Sequence, residues 1–185
     1  MDSVISKSYD TITFNLRTAG YTFDEIPKDM EFPSFIATHS DKTRIHVLYH
    51  IERLAKNSLD NIVLNIPDKR DTDIIYIVVG SQSLDTLRGQ LKADKIQLPY
   101  IIITNLWALQ FRILEHNYVP KHIILTDAEV IKFKNGFNIT NNSQIPEISR
   151  FDPVAQSIFM KPDQICKIMR NEKATMDETF YRVCI

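Results

Sequence analysis

The side chains of this chain best suited to chemistry are two cysteines, five histidines and a few polar residues beside turns. Cys166 and Cys184 fall on two strand-like runs and are expected to be neighbours. Free, half-buried thiols in a reducing compartment are the simpler reading than a disulfide. His46 and His50 are spaced like metal ligands on a helix. Their segment, 44–50, alternates like a strand, and four strand rises would hold them roughly 13 Å apart. With His39 nearby on the same hairpin, no metal site is expected. Gly80-Ser81-Gln82-Ser83 follows a strand and opens a helix, the usual place of a phosphate loop. It has one glycine and no Gly-Lys-Ser/Thr, so it reads as a helix cap. Pro67-Asp68 supplies the first part of a metal-dependent nuclease pattern. The acidic residue and lysine two apart on a following strand are missing from 74–79 and 100–104, and Asp94-Lys95 are adjacent in a loop. No Gly-x-Ser-x-Gly elbow exists. His116 and His122 flank a proline turn and read as polar residues that hydrogen-bond a connection or a partner backbone. No catalytic constellation survives, and no cofactor is expected.

The elements that hold these residues are clearest in residues 144–185. Asp152-Pro153-Val154-Ala155 is a helix start. Asp152 accepts the orphan amide protons, and Pro153 takes the first helical position, where a missing N–H is harmless. The helix is expected to run out near Phe159-Met160. Two strand runs follow, 164–170 and 179–184, divided by a polar stretch. One short helix and one hairpin bury little core unaided. Such a module must cover a face on something larger, which is an argument for docking.

Upstream, Asp2 or Ser3 caps a first helix with Ile5, Tyr9, Ile12 and Leu16 on one face and Gly20 at its end. Strands are expected at 35–39 and 44–50, a helix at 58–66, then strand 74–79, helix 83–92, strand 100–104, a short helix 105–110 and a strand 111–114. That alternation implies a parallel or mixed sheet covered by helices. A strand at 122–125 and a helix opened by Thr126 or Asp127 follow, with Asn135-Gly136 as a turn. The fold class is α/β in the broad α+β sense: a mixed-sheet domain over 1–115 and a small helix-and-hairpin domain over 116–185.

Net charge is −1, which gives no global attraction to nucleic acid. No apolar run approaches the roughly 20 residues of a membrane span. Residues 1–19 do not read as a signal peptide, so an intracellular protein without membrane contact is expected.

Residues 115–185 resemble the assembly domain of the fifth subunit shared by the eukaryotic nuclear RNA polymerases, a family with a shorter archaeal counterpart. Two blocks carry the likeness. One is Glu115-His116-Asn117-Tyr118-Val119-Pro120-Lys121-His122 with Ile123-Ile124-Leu125-Thr126 and Glu129-Val130. The other is Ile145-Pro146, Asp152-Pro153-Val154-Ala155, Lys161, Gln164, Lys167-Ile168, Arg170 and Tyr181-Arg182. The resemblance implies a non-catalytic structural subunit docked on the largest polymerase subunit. Its first domain would be a jaw near downstream DNA, touching phosphates only weakly. His122, Asp152, Pro153, Lys167, Arg170, Tyr181 and Arg182 are the interface candidates it implies. The long N-terminal part is similar to the eukaryotic form, and the departures suggest a divergent copy, such as one encoded by a large DNA virus. Location would then be the nucleus for a cellular protein, or host cytoplasm and virion for a viral one. The family has glycines where this chain has Phe159, Asp163 and Met176, so rebuilt turns are expected there. The alternative is a free-standing protein-binding module, such as a transcription co-regulator.

Overall fold

The computed structural model describes residues 3–24, 34–50, 62, 64, 66, 70, 72–80, 83–93, 100–170 and 178–185. Most of the helix expected over 58–66, Pro67-Asp68, Ser81-Gln82, Asp94-Lys95 and Met176 lie outside them. The chain divides into two compact units, Met1–Arg112 and Ile113–Ile185. Each holds a four-stranded mixed sheet among the described residues, the α+β architecture that the alternating pattern implies.

In the first unit, helix α1 (Ser3–Thr18) buries Ile5, Ile12 and Leu16, with Tyr9 only half-buried. Its end is closed by two backbone bonds, Gly20 N–H to Arg17 C=O and Tyr21 N–H to Leu16 C=O. Those bonds require a left-handed residue between them, and Gly20 supplies it with φ +85°. A Cβ there would also stand 3.1 Å from the His39 ring. The sheet runs β1 (Phe35–Thr38), β2 (Arg44–His50), β3 (Ile74–Val79), β4 (Tyr100–Asn105) in that spatial order. β1 and β2 form an antiparallel hairpin, and β2, β3 and β4 are parallel. Every residue of β3 is buried, as the uninterrupted Ile-Ile-Tyr-Ile-Val-Val of a strand covered on both faces requires. Helix α2 (Asp85–Ala93) turns Leu87 and Leu91 inward.

The sequence expectation fails at 111–114. Those residues form no strand: Phe111 is exposed, and Ile113–Glu115 is a 3-10 turn. The preceding 3-10 turn, Leu106–Leu109, is capped by Asn105, whose Oδ1 accepts the Trp107 N–H. Gln110 then donates its side-chain amide to the Val4 and Leu106 carbonyls, and the Arg112 guanidinium lies 4.5 Å over the Phe14 ring. Contacts of Gln110 and Arg112 to α1 hold this stretch, and a run as short as Phe111-Arg112-Ile113-Leu114 cannot signal them.

The second unit contains β5 (Lys121–Ile124), α3 (Asp127–Gly136), β6 (Glu147–Ile148), α4 (Pro153–Ser157), β7 (Ile165–Arg170) and β8 (Glu178–Cys184). Its strand order is β5-β7-β8-β6, antiparallel except for the β8-β6 edge. Helix α3 opens on a capping box, Thr126 with Glu129, and runs through Asn135-Gly136, where a turn was expected.

The two sheet faces carry two small cores. Cys166, Ile168, Cys184 and Ile148 pack with Ala155 and Met160 on one face. On the other, Ile165, Val183 and Ile145 meet Val130, Phe133 and Ile139. Both cysteines are buried free thiols. Burial raises Cys166, and it pushes Cys184 up to about 11.

Helix α4 starts as the sequence implies: Asp152 Oδ1 accepts from Val154 N–H at 2.8 Å and Ala155 N–H at 3.2 Å. Its end repeats the closure of α1, with Phe159 N–H bonded to Gln156 C=O and Met160 N–H to Ala155 C=O. The left-handed position is Phe159, at φ +57°. Downstream, Gln164 N–H reaches Lys161 C=O across Pro162-Asp163, and Asp163 has φ +67°. A turn with Pro second and a positive-φ residue third is of type II. The expected rebuilding is therefore not found at either position. The backbone keeps a glycine-like conformation in a Phe and an Asp. Phe159 tolerates this because the residue is buried, 4% exposed, and burial offsets the strain.

Candidate functional site

The ladder of β5, β7 and β8 decides which interface candidates stand together. Residues paired across an antiparallel ladder share a face. His122 is paired with Ile168, and Ile168 with Phe180; Arg170 faces Glu178, and Cys166 faces Arg182. His122, Arg170 and Arg182 therefore share one face with the α4 core. The Arg170 guanidinium lies 4.8 Å over the Phe180 ring, and Arg182 Nη1 donates to the Glu147 carbonyl at 2.8 Å. His122 donates Nδ1–H to the Pro120 carbonyl at 2.7 Å.

Lys167 and Tyr181 are paired with each other on the opposite face. There Tyr181 stacks on Phe133, ring centroids 4.0 Å apart. Glu129 at the start of α3 is held below the usual carboxylate range by the Thr126 N–H and hydroxyl, with Lys167 adding to the effect. The Asp152 carboxylate is engaged in capping α4, while Pro153 is exposed. The seven candidates thus divide: His122, Arg170 and Arg182 on one face, the cross-strand pair Lys167 and Tyr181 on the other, and the helix start Asp152-Pro153.

Sequence reasoning missed Phe180, Ile123 and Met169, all more than a third exposed on this sheet. A large apolar residue on a short strand reads as core unless the register is known. Lys121, exposed beside Pro120, stood out in the sequence only as part of a motif. Among the described residues, no group of three or more His, Cys, Asp or Glu gathers to hold a metal ion. His46, weighed above as a metal ligand, is instead bound at 2.9 Å to the buried carboxylate of Asp73. That carboxylate also accepts from Arg44 Nε at 3.2 Å, Arg44 Nη2 at 2.7 Å and the Arg70 N–H at 2.9 Å. Burial pushes Asp73 upward, and these donors together bring it below its ordinary value. The cluster ties β2 to the start of β3 in a structural role.

Residues 111–184 match the family described as RNA polymerase Rpb5, C-terminal domain. The chain is 32% identical over 77 residues to the DNA-directed RNA polymerase subunit Rpo5 of Archaeoglobus fulgidus, covering 42% of this chain and 100% of that protein. It is 34% identical over 73 residues to the Rpo5 of Aeropyrum pernix, 40% of this chain and 80% of that protein. It is 30% identical over 111 residues to the subunit rpabc1 of the DNA-directed RNA polymerases I, II and III of Dictyostelium discoideum. That match covers 59% of this chain and 56% of the Dictyostelium protein. The chain is of the class of multisubunit RNA polymerase components. It belongs to the Rpb5/Rpo5 family.

No helix among the described residues is long and apolar enough to cross a membrane.

Proposed function

We propose that this chain is a non-catalytic structural subunit of a DNA-directed RNA polymerase. The unit of 113–185 is its assembly domain and docks on the largest subunit. The unit of 1–112 acts as a jaw beside downstream DNA, and the chemistry of transcription stays with the large subunits. The observation that carries this reading is the extent of the match: 42% of this chain covers the whole length of the Archaeoglobus Rpo5, and the family match, residues 111–184, falls almost entirely on a unit with its own sheet and cores. The basic residues His122, Arg170 and Arg182 on one face, with Phe180 among them, supply a surface suited to a partner's acidic and apolar side chains. DNA contact is weak, confined to phosphates and salt-sensitive, consistent with a net charge of −1. A cellular copy works in the nucleus; a viral copy works in host cytoplasm and enters the virion.

A tagged chain purified from its native source tests this. Recovery of the two largest polymerase subunits in stoichiometric amount is expected, and the Arg170→Glu, Arg182→Glu double variant lowers it. If neither large subunit comes down, the proposal fails and a free-standing binding module is the better account.

A further inference from the structure

The two edges of the second sheet are not alike. On β8, Val183 N–H is bonded outward to Pro146 C=O, while Cys184 N–H is bonded inward to Gln164 C=O. Antiparallel ladders alternate, so Thr179 and Tyr181 turn their N–H and C=O groups outward as Val183 does. β6 covers only Val183 and Cys184. Among the described residues, nothing pairs with the outward groups of Thr179 and Tyr181. Natural edges are commonly guarded by proline, lysine or a bulge. The other edge, β5, follows that rule with Pro120 and exposed Lys121. The described part of β8 has neither residue and keeps an unbroken register from 178 to 183. Beside it stand Arg182 and, on β7, Arg170 with its guanidinium over the half-exposed Phe180.

We propose that the outer edge of β8 at 179–181 takes up an extended, acidic segment of the partner chain as an added strand. It would lie in line with β6. Two backbone N–H and two C=O groups fix the segment's register. Arg170 and Arg182 select carboxylates beside an apolar side chain that covers Phe180. This rests on the docking reading above and names its mode.

The test compares Thr179→Pro with Thr179→Val in the full chain. Position 179 is exposed and its N–H does not serve the β7 ladder, so proline removes the outward donor without taking a bond from that ladder. Each variant competes with wild type for incorporation into the polymerase. Thr179→Val is expected to incorporate as wild type does, and Thr179→Pro at least tenfold less. Equal incorporation of a folded Thr179→Pro overturns the proposal. Should Thr179→Pro fail to fold, hydrogen exchange on the wild-type chain decides. The Thr179 and Tyr181 amides slow at least tenfold on assembly while Phe180 and Arg182 change little; no slowing overturns it. Arg170→Gln is expected to lower incorporation several-fold at low salt and much less at high salt; no effect at any salt refutes the acidic segment. A free chain that sediments as a dimer through this edge makes a second copy the occupant and also overturns it. If wild type recovers no large subunit, the docking reading fails first. If wild type does and the variants match it, only strand addition fails.

Discussion

Replacing Phe159 by alanine and, separately, by glycine separates two opposed terms at one position. The residue is 4% exposed, and truncation of a buried Phe to Ala ordinarily costs about 3–5 kcal/mol. Alanine keeps that loss and keeps a Cβ at φ +57°, where a left-handed L-residue carries about 1–2 kcal/mol of strain. Glycine suffers the same loss of ring but sheds the strain, less about 0.4–1 kcal/mol for its freer unfolded chain. Alanine should therefore lie about 3–5 kcal/mol below wild type and glycine about 2–4 kcal/mol below it, with glycine about 1 kcal/mol above alanine. In helix or strand interiors the order is the reverse, alanine leading by about 0.5–1 kcal/mol. Urea unfolding followed by far-UV circular dichroism measures the three stabilities. Hydrogen exchange at the Met160 amide, bonded 3.0 Å from the Ala155 carbonyl, reads the loss at the helix end itself. An alanine variant more stable than the glycine variant would refute the strain argument. A variant as stable as wild type would refute the claim that burial holds the turn.

Asp73→Asn should cost about 3 kcal/mol or more, because it removes the buried carboxylate on which Arg44, His46 and the Arg70 N–H converge; thermal unfolding measures it. A carboxylate whose folded value lies below its unfolded one contributes stability above about pH 4 and loses it as pH falls further, so the wild-type unfolding midpoint should drop there more steeply than that of Asp73→Asn. With its thiol raised to about 11 and fully buried, Cys184 should carry about one thiolate per thousand at pH 8, and react with a disulfide reagent only after unfolding. Asp152→Ala should lower stability by about 1 kcal/mol through the lost cap and leave recovery of polymerase subunits unchanged in the folded fraction, whereas Arg182→Glu lowers recovery itself.

Patterns carried within a dozen residues were legible. The stripe of Ile5, Ile12 and Leu16, the uninterrupted apolar run 74–79 and the Asp152-Pro153 start each determine their element by local physics. The resemblance of 115–185 likewise led to the family. Pairings across sequence were not legible. Nothing near His46 announces Asp73, because the parallel alignment of β2 and β3 brings them together from 27 residues apart. Lys167 and Arg170, like Tyr181 and Arg182, divide between two faces because side chains alternate along a strand; which residues of the neighbouring strands join them depends on the register, and no local signal sets that. Glycine preference at a helix end misled in a different way. The same closing pair of bonds ends α1 at Gly20, α3 at Asn138 and α4 at Phe159. The backbone demands a handedness: glycine meets it freely, exposed Asn138 meets it because asparagine tolerates the left-handed region, and Phe159 meets it through burial.

The parallel pairing of β6 with the far end of β8 orders events in time. The β7-β8 hairpin can zip from its own turn, since its partners are neighbours in the chain. β6 precedes that hairpin in synthesis and offers only Glu147 and Ile148 to it. Its closure waits until α4 and both hairpin strands have been made and have found each other. Until then the whole outer side of β8 is open, and a nascent chain is most vulnerable to sticking to its neighbours in that interval. A chaperone or early arrival of a partner segment would shorten it, and the yield of folded subunit should rise when partner and subunit are synthesised together.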